Sequence, residues 1–313
     1  MTEDVSVTDE HLLDELRPYA FSIAYRMLGS VADAEDVVQE ALLRVHRSIA
    51  EGRRLESPRA FVATVTTRLS IDQLRSARVR REQYVGDWLP EPVVSDASVD
   101  PAREAEMADS LSLAFLVLLE SLSAEQRAAL LLRDVFDYGY PEIARIVGTS
   151  EENARQLAAR ARRQVAQRRP RFEVAPAQHR ELAQRFFSAA RLGDLAGLEE
   201  LLAGDAVLQG DGGGKVPALA RAVHGRARVA RTLLAWWRQG ARLGGSARLA
   251  DVNGQPGVLL LDGAGRLVGV MALEIVDGLV IAVRSVVNPD KLRHIGPVSD
   301  LGDALAGGGR AGW

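Results

Sequence analysis

Between Tyr140 and Val165 the chain reads YPEIARIVGTSEENARQLAARARRQV, and the polar residues of this stretch have the types needed to read a nucleic acid. Ile143, Ala144 and Val147 form the apolar face of a short helix. Gly148 supplies a turn, and Ser150 is an N-cap with Asn153 three residues on. In the next helix Ala154, Leu157 and Ala161 turn inward, which leaves Glu152, Asn153, Arg155, Gln156 and Arg160 outward, followed by Arg162 and Arg163. Asn, Gln and Arg at a helix N-terminus offer bidentate hydrogen bonds to base edges, and the basic tail suits phosphates. This is the chemistry of a helix-turn-helix recognition helix. A helical hairpin with a solvated charged face is the plainer alternative.

Other chemistries find no support. The chain has no cysteine, which removes disulfides, thiolate metal sites and cysteine nucleophiles. The five histidines are scattered without metal-ligand spacing. DGGGK, Asp211 to Lys215, invites a phosphate-loop reading, but Gln209 and Val216 stand where that motif needs Gly and Ser or Thr. Asp211, His224, Asp251 and Asp262 have acid–base chemistry, yet their spacing selects no pair, and no tyrosine follows Tyr140 to serve as an oxyanion donor. No catalytic residue, metal or cofactor is expected.

Stepping outward, 313 residues with 47% hydrophobic content suffice for two or three packed domains. The acidic start MTEDVSVTDE has no signal pattern, and no apolar run is long enough for a bilayer, so a cytoplasmic chain without membrane contact is expected. The net charge of −3 hides segregation. Residues 59–81 are basic, residues 87–109 strongly acidic, and residues 143–171 basic again. Two basic blocks flanking an acidic one are the footprint of a bipartite DNA reader.

Upstream, residues 11–28 carry apolar residues at helical spacing and stop at Gly29. In SVADAEDVVQEALLRVHRS the stripe Ala34, Val37, Val38, Ala41, Leu42 and Val45 is apolar. Asp33, Glu35, Asp36, Gln39 and Glu40 crowd its first half, and Arg44, His46 and Arg47 close it, a polarity that also complements the helix dipole. A third helix starts near Pro58 and carries Arg59, Thr64, Thr67, Arg68, Arg75 and Arg78 opposite Phe61, Val65, Leu69 and Ile71, then runs into Arg80 and Arg81.

These three segments, in this order and separation, resemble the extracytoplasmic-function class of bacterial sigma factors over roughly residues 8–170. The resemblance implies two all-α domains: region 2 over 8–83, and region 4, with the helix-turn-helix, over 110–172. It implies that Asp33, Asp36, Gln39, Glu40 and Leu43 contact the β′ clamp helices of core RNA polymerase, with the β flap as a further partner. Arg59, Thr64, Thr67, Arg68, Arg75, Arg78, Arg80 and Arg81 would meet the −10 element, whose displaced strand needs a basic track. Glu152, Asn153, Arg155 and Gln156 would read −35 base edges, while Arg160, Arg162 and Arg163 take phosphates.

The acidic linker, residues 84–109, contains DWLPEP. Two prolines make it a stiff spacer with Trp88 as an anchor, and a polyanionic strand also suits a polymerase's basic channel. Downstream, residues 174–294 read as helices followed by strands at 246–252, 257–262, 267–276 and 279–287, an α+β pattern with an antiparallel meander. The order resembles the SnoaL-like group of cone-shaped folds, whose curved sheet encloses a pocket. Residues 295–313 read as a loose tail. The only two lysines are Lys215 in DGGGK and Lys291 in NPDKLRH, where Asn288 and Pro289 form a turn.

WLPEP, DGGGK and NPDKL together resemble a sigma subgroup whose C-terminal domain regulates it in cis. That resemblance marks Trp88, Leu89, Pro90, Asp211, Lys215, Asn288, Pro289, Asp290, Lys291 and Leu292 as regulatory contacts, with the lysines expected near acidic linker residues. The expected protein is a monomeric alternative sigma factor that binds core polymerase and promoter DNA and needs no separate anti-sigma factor. The competing readings are a ligand-responsive helix-turn-helix regulator with a pocket in its C-terminal domain, and an enzyme fused to a DNA-binding module.

Overall fold

The structure, a computed structural model, describes residues 3–53, 55–82, 84–95, 111–166 and 176–300, with backbone alone for 3–10, 77–82 and 176–177. The chain forms two compact units. The first combines Met1–Glu82 with Leu116–Arg169, and the second combines Gln83–Phe115 with Pro170–Trp313.

The first unit is helical. Helix α1 (Glu3–Leu28) ends at Gly29, whose φ of 66° needs no Cβ accommodation. Ser30 then caps α2 (Val31–Ala50) by accepting the Asp33 N–H at 3.1 Å. Ala34, Val37, Val38, Ala41 and Val45 are buried along α2, the expected stripe, and Leu42 is half-buried. Helix α3 (Pro58–Glu82) departs from its expected face. Val62, Ala63, Thr66, Thr67, Ser70, Ile71 and Leu74 are buried, whereas Phe61, Val65 and Leu69 are only half-buried. The reason is packing on several sides, because α3 meets α1 and α2 and also the helices that follow residue 116.

Those helices are α4 (Leu113–Leu119), shorter than the apolar run 111–122 suggested, α5 (Ala124–Asp134), α6 (Tyr140–Val147) and α7 (Glu151–Ala166). The capping box at α5 is formed: Gln126 N–H reaches Ser123 Oγ at 3.2 Å, and Ser123 N–H reaches Gln126 Oε1 at 2.9 Å. Gly148 closes α6 in the left-handed region at φ 77°, and Ser150 Oγ accepts from Asn153 N–H at 3.2 Å to start α7. Ala129, Leu132, Ile143, Ala144, Ile146, Ala154 and Ala158 make one core. In α7 it is Ala158 that is buried, and Leu157 packs at the margin.

The second unit is α+β. Helices α8 (Pro176–Leu192), α9 (Leu195–Leu201) and α10 (Arg226–Arg242) cover a sheet of β1 (Val94–Ser95), β2 (Leu202–Asp211), β3 (Val223–His224), β4 (Ser246–Val252), β5 (Gln255–Leu261), β6 (Leu267–Val276) and β7 (Leu279–Val286). The order across the sheet is β1-β4-β5-β6-β7-β2-β3. The meander β4 to β7 is antiparallel, and β2 adds parallel to β7. Asn253-Gly254 and Asp277-Gly278, all at positive φ, make the hairpin turns. Phe186, Phe187, Leu233, Val258, Leu273 and Val283 are among the residues that fill the core between helices and sheet.

Two features of this unit depart from expectation. Strand β1 comes from the linker: Val94 and Ser95 pair antiparallel with Val252 and Asp251. The stretch expected to begin a loose tail is partly tied down, since Leu267 N–H reaches Pro297 O and Ser299 N–H reaches Leu267 O, each at 2.8 Å. Residues 301–313 lie outside the described residues.

Candidate functional site

The recognition helix α7 starts with its N-terminal turn exposed. Asn153 Nδ2 donates to Thr149 Oγ1 at 2.7 Å, Gln156 is 3.5 Å from Glu152, and Arg155 pairs with Glu151 while its guanidinium lies 5.4 Å from the Tyr140 ring. Such exposed i,i+4 pairs are worth only a few tenths of a kcal/mol, so they hold these side chains weakly. Arg160 and Arg163 are exposed on the same helix. Arg162 differs from expectation. It forms a two-pronged ion pair with Asp134 of α5, and that hydrogen bonding raises its pKa further. Arg162 thereby joins α5 to α7 while its side chain stays 45% exposed.

The α3 face is already in use. Arg68 Nε donates to Ile146 O at 3.0 Å and Nη2 to Arg145 O at 2.7 Å, so it caps the last turn of α6. Arg75 donates to Glu125 Oε1 at 2.7 Å. Arg59 lies 4.1 Å from the Tyr19 ring centroid. Thr64 donates to Ala60 O at 2.8 Å. Thr67, expected on the polar face, is fully buried, because α3 is enclosed on that side too. The side chains of Arg78, Arg80 and Arg81 lie outside the described residues. Thus the candidate −10 residues Arg68 and Arg75 are joined to α6 and α5, the two helices that pack against α7, which carries the candidate −35 residues.

Sequence reading missed the residues that hold this arrangement. Arg127, 3% exposed, donates to Met27 O at 2.6 Å at the end of α1 and to Leu119 O at 2.6 Å, and lies 3.0 Å from Glu120. Tyr19 and Tyr138 share a hydroxyl hydrogen bond of 2.8 Å, and Phe136 packs edge-on against Tyr19 at 5.7 Å. Arg26 is buried beside Ser22 and Phe136, and burial lowers its guanidinium to about 10. The available signal was Arg127 placed directly before the apolar run Ala128–Leu132 in AEQRAALLLRD.

On α2 the acidic residues divide by role. Asp33 accepts from Gln73 Nε2 at 3.1 Å, Glu35 pairs with Arg17, and Glu40 pairs with Arg44. Asp36 and Gln39 are exposed, and Leu43 beside them is 42% exposed. Carboxylate, amide and leucine at i, i+3 and i+7 thus share one exposed face of α2.

In the second unit the three short motifs converge on one buried carboxylate. Asp211, at the end of β2 and fully buried, accepts from Tyr84 Oη at 2.6 Å, Leu89 N–H at 2.8 Å, Gly213 N–H at 3.0 Å and Lys291 Nζ at 2.7 Å. Lys291, 6% exposed, also donates to Leu89 O at 2.5 Å and lies 4.3 Å from the Trp88 ring and 4.9 Å from the Tyr84 ring. Asn288 Nδ2 donates to Tyr84 Oη at 2.9 Å, and Asn288 Oδ1 caps the turn Pro289–Lys291. Leu292 and Pro90 are buried beside these groups in the chain. His294 Nε2 meets Pro92 O at 2.8 Å, and the Asn253 side chain bridges Val93 N–H and Leu111 O, each at 2.9 Å.

The glycines of DGGGK now have a reason. At Gly213 an added Cβ would stand 2.2 Å from Asn288 Nδ2, and at Gly214 one would stand 3.1 Å from Val85 Cβ, both at positive φ. They admit the linker, not a phosphate. The expectation that the lysines meet acidic linker residues is corrected. Lys215 pairs with Asp290 and Lys291 with Asp211, so the linker contributes a backbone carbonyl and two aromatic faces. A buried ammonium gains most from a carboxylate fixed and desolvated beside it, as Asp211 is.

One acidic linker residue does sit at this clasp. Burial and the nearby Asp211 charge raise the Asp87 pKa, partly offset by His224, and Asp87 Oδ2 is a buried oxygen with no hydrogen-bond partner. A carboxyl with a raised folded-state pKa stabilises fully only below its unfolded value near 4, and that contribution is lost as pH rises through the folded value. Asp87→Asn removes the penalty. It should raise the melting temperature of the second unit at neutral pH and flatten its rise as the pH falls toward the unfolded value near 4; an unchanged pH profile would contradict this.

Comparison with known proteins fits this geometry. Residues 12–80 match the family model for sigma-70 region 2, and residues 112–165 match that for sigma-70 region 4. The chain is 40% identical over 287 residues to the ECF RNA polymerase sigma factor SigJ of Mycobacterium tuberculosis, covering 89% of this chain and 91% of that protein. It is 35% identical over 278 residues to the probable ECF sigma factor SigI of the same species, covering 88% and 92%. The crystal structure of M. tuberculosis SigJ superposes with a TM-score of 0.74 at 37% identity, covering 94% of this chain and all of that one.

Proposed function

This chain belongs to the extracytoplasmic-function RNA polymerase sigma factors, and from that membership we propose that its free form is closed and that its own C-terminal domain restrains its opening. Sigma factors act with core RNA polymerase at promoters, and this chain directs transcription initiation. Contact with the β′ clamp helices through Asp36, Gln39 and Leu43, and with the β flap through the helices after residue 116, is part of the proposal.

The observation that carries it is the joining of both reading halves into one unit. Elements centred at −10 and −35 lie about 25 base pairs apart, roughly 85 Å at 3.4 Å per pair. A compact body of about 140 residues is only about 40 Å across. The closed unit therefore cannot engage both elements at once, and the Arg68, Arg75 and Arg127 contacts must break during promoter binding. The chain that joins the two halves is meanwhile held by the Asp211–Lys291 clasp and by strand β1. An intramolecular restraint of this kind takes the place of a separate anti-sigma protein.

No catalytic step is assigned to Tyr84 and Asp211, although a tyrosine beside a buried carboxylate resembles an acid–base pair. The carboxylate is already engaged by four donors and covered by Leu89. The test of the proposal is run-off transcription with core polymerase, comparing the full chain with its Lys291→Met variant. Activity should rise several-fold when the clasp is broken; equal or lower activity would refute restraint in cis.

The polymerase surface has its own test. Leu43→Asp should weaken binding to core polymerase at least tenfold without moving the melting temperature, since exposed substitutions seldom change stability by more than about 0.5 kcal/mol. Unchanged affinity would remove this stripe from the interface.

A further inference from the structure

The second unit encloses a cavity of about 550 Å³ that neither DNA reading nor the linker clasp uses. It lies where α8 and α10 end above the inner face of β5, β6 and β7. Trp236, Trp237, Leu260, Met271, Val287 and Pro217 line it. The volume falls within the roughly 300–1,000 Å³ of small-molecule sites, which combine apolar walls with a few polar groups that fix orientation. Two of the chain's four tryptophans stand here, and Trp237 is held against Phe187 at 6.0 Å between ring centroids. Both are only half-buried, an unusual exposure for side chains of such apolar area in a chain with 5% aromatic residues.

The charged lining is unbalanced. Arg191 and Arg238 contribute to the wall and are exposed there, and neither has an ion-pair partner among the described residues. Arg191 stands in the last turn of α8, where a cation suits the helix dipole, whereas Arg238 stands before the last turn of α10, so the dipole accounts for one of the two arginines only. The lining carboxylate, Asp262, is already satisfied. It accepts from Ser299 Oγ at 2.7 Å, from Arg266 Nε at 2.9 Å, and from the Ala264 and Arg266 backbone N–H groups at 2.9 Å each. The lining thus combines apolar walls with two arginines that have no ion-pair partner among the described residues.

We infer that this cavity is a binding site for an apolar organic acid, with its hydrocarbon body against Trp236, Trp237 and Met271 and its carboxylate at Arg191 and Arg238. Guanidinium groups pair with carboxylates through two parallel hydrogen bonds, which sets the polar end of the ligand. The site adjoins the clasp: Gly210 and Val287 line the cavity, and the next residues, Asp211 and Asn288, hold the linker.

The test is calorimetric titration of the full chain with decanoate, 1-decanol and decylammonium, below their aggregation limits, with tryptophan emission followed in parallel. Decanoate should bind at one site per chain and shift the emission. It should bind at least tenfold more tightly than decanol, and the Arg191→Gln, Arg238→Gln double variant should erase that preference while binding decanol as before. Absence of saturable binding, or equal binding of the acid and the alcohol, overturns the inference. So does binding that appears only in a chain ending at Asp300, which would seat the C-terminal residues in the cavity instead. None of these outcomes bears on transcription, so the sigma-factor reading stands or falls separately.

Discussion

Replacing Arg127 with methionine should lower the melting temperature of the first unit by roughly 10 °C. The guanidinium is 3% exposed and serves Met27 O, Leu119 O and the Glu120 carboxylate, three acceptors drawn from two helices. Methionine fills much of the volume but donates nothing, so two carbonyls lose their partners and Glu120 loses its cation. Breaking a buried charged pair from one side costs about 3–5 kcal/mol, and for a unit of this size each kcal/mol is worth roughly 3 °C. The exposed pairs nearby, such as Arg75 with Glu125 at 61% and 31% side-chain exposure, are screened by solvent and contribute little. Magnitude therefore singles out Arg127. All four tryptophans (Trp88, Trp236, Trp237 and Trp313) belong to the second unit. Far-UV circular dichroism should accordingly show the loss while tryptophan emission melts as in the parent. A shift below about 3 °C would mean that the lock lies in the Tyr19, Phe136 and Tyr138 cluster.

Lys291→Met should release the linker. Without its ammonium, Asp211 becomes a fully buried carboxylate without its cation, at an expected cost of about 3–5 kcal/mol, and the contacts with the Trp88 and Tyr84 rings add about 1 kcal/mol more. Asp211→Asn alone should cost a comparable amount, since an amide has one acceptor oxygen for donors that now engage two. The double variant, with neither charge, should recover part of the loss, so that the two changes are clearly non-additive. Trp88 emission reports undocking, and run-off transcription reports its consequence. Additive losses without a change in Trp88 emission would show that the pair stabilises the sheet end without holding the linker.

Much of this protein is legible in its residues. The Ser123–Gln126 capping box, the Gly148 turn, the Ser150 cap and the buried stripe of α2 follow from local rules of spacing and capping, and the structure contains each of them. Four strands of the meander follow from alternation and from turns at Asn253-Gly254 and Asp277-Gly278. The α3 face was misjudged because periodicity describes one buried side, and this helix is enclosed on more than one. Thr67 and Arg68 are one position apart, yet one is buried and the other caps a helix 77 residues away.

The motifs WLPEP, DGGGK and NPDKL stood out through a proline pair, a glycine run and two lysines in a chain that otherwise uses arginine, and were grouped by their resemblance to one sigma subgroup. Residue types and local spacing thus marked the capped helix ends, the hairpin turns and the three segments that meet at the clasp. Tertiary structure decided who pairs with whom. It set Lys291 on Asp211 and not on the acidic linker, gave Arg162 to Asp134, and drew Val94 and Ser95 into the sheet. Those choices depend on desolvation, which is a property of the folded surroundings: the same lysine is an ordinary hydrated cation until Leu89, Trp88 and Tyr84 close over it.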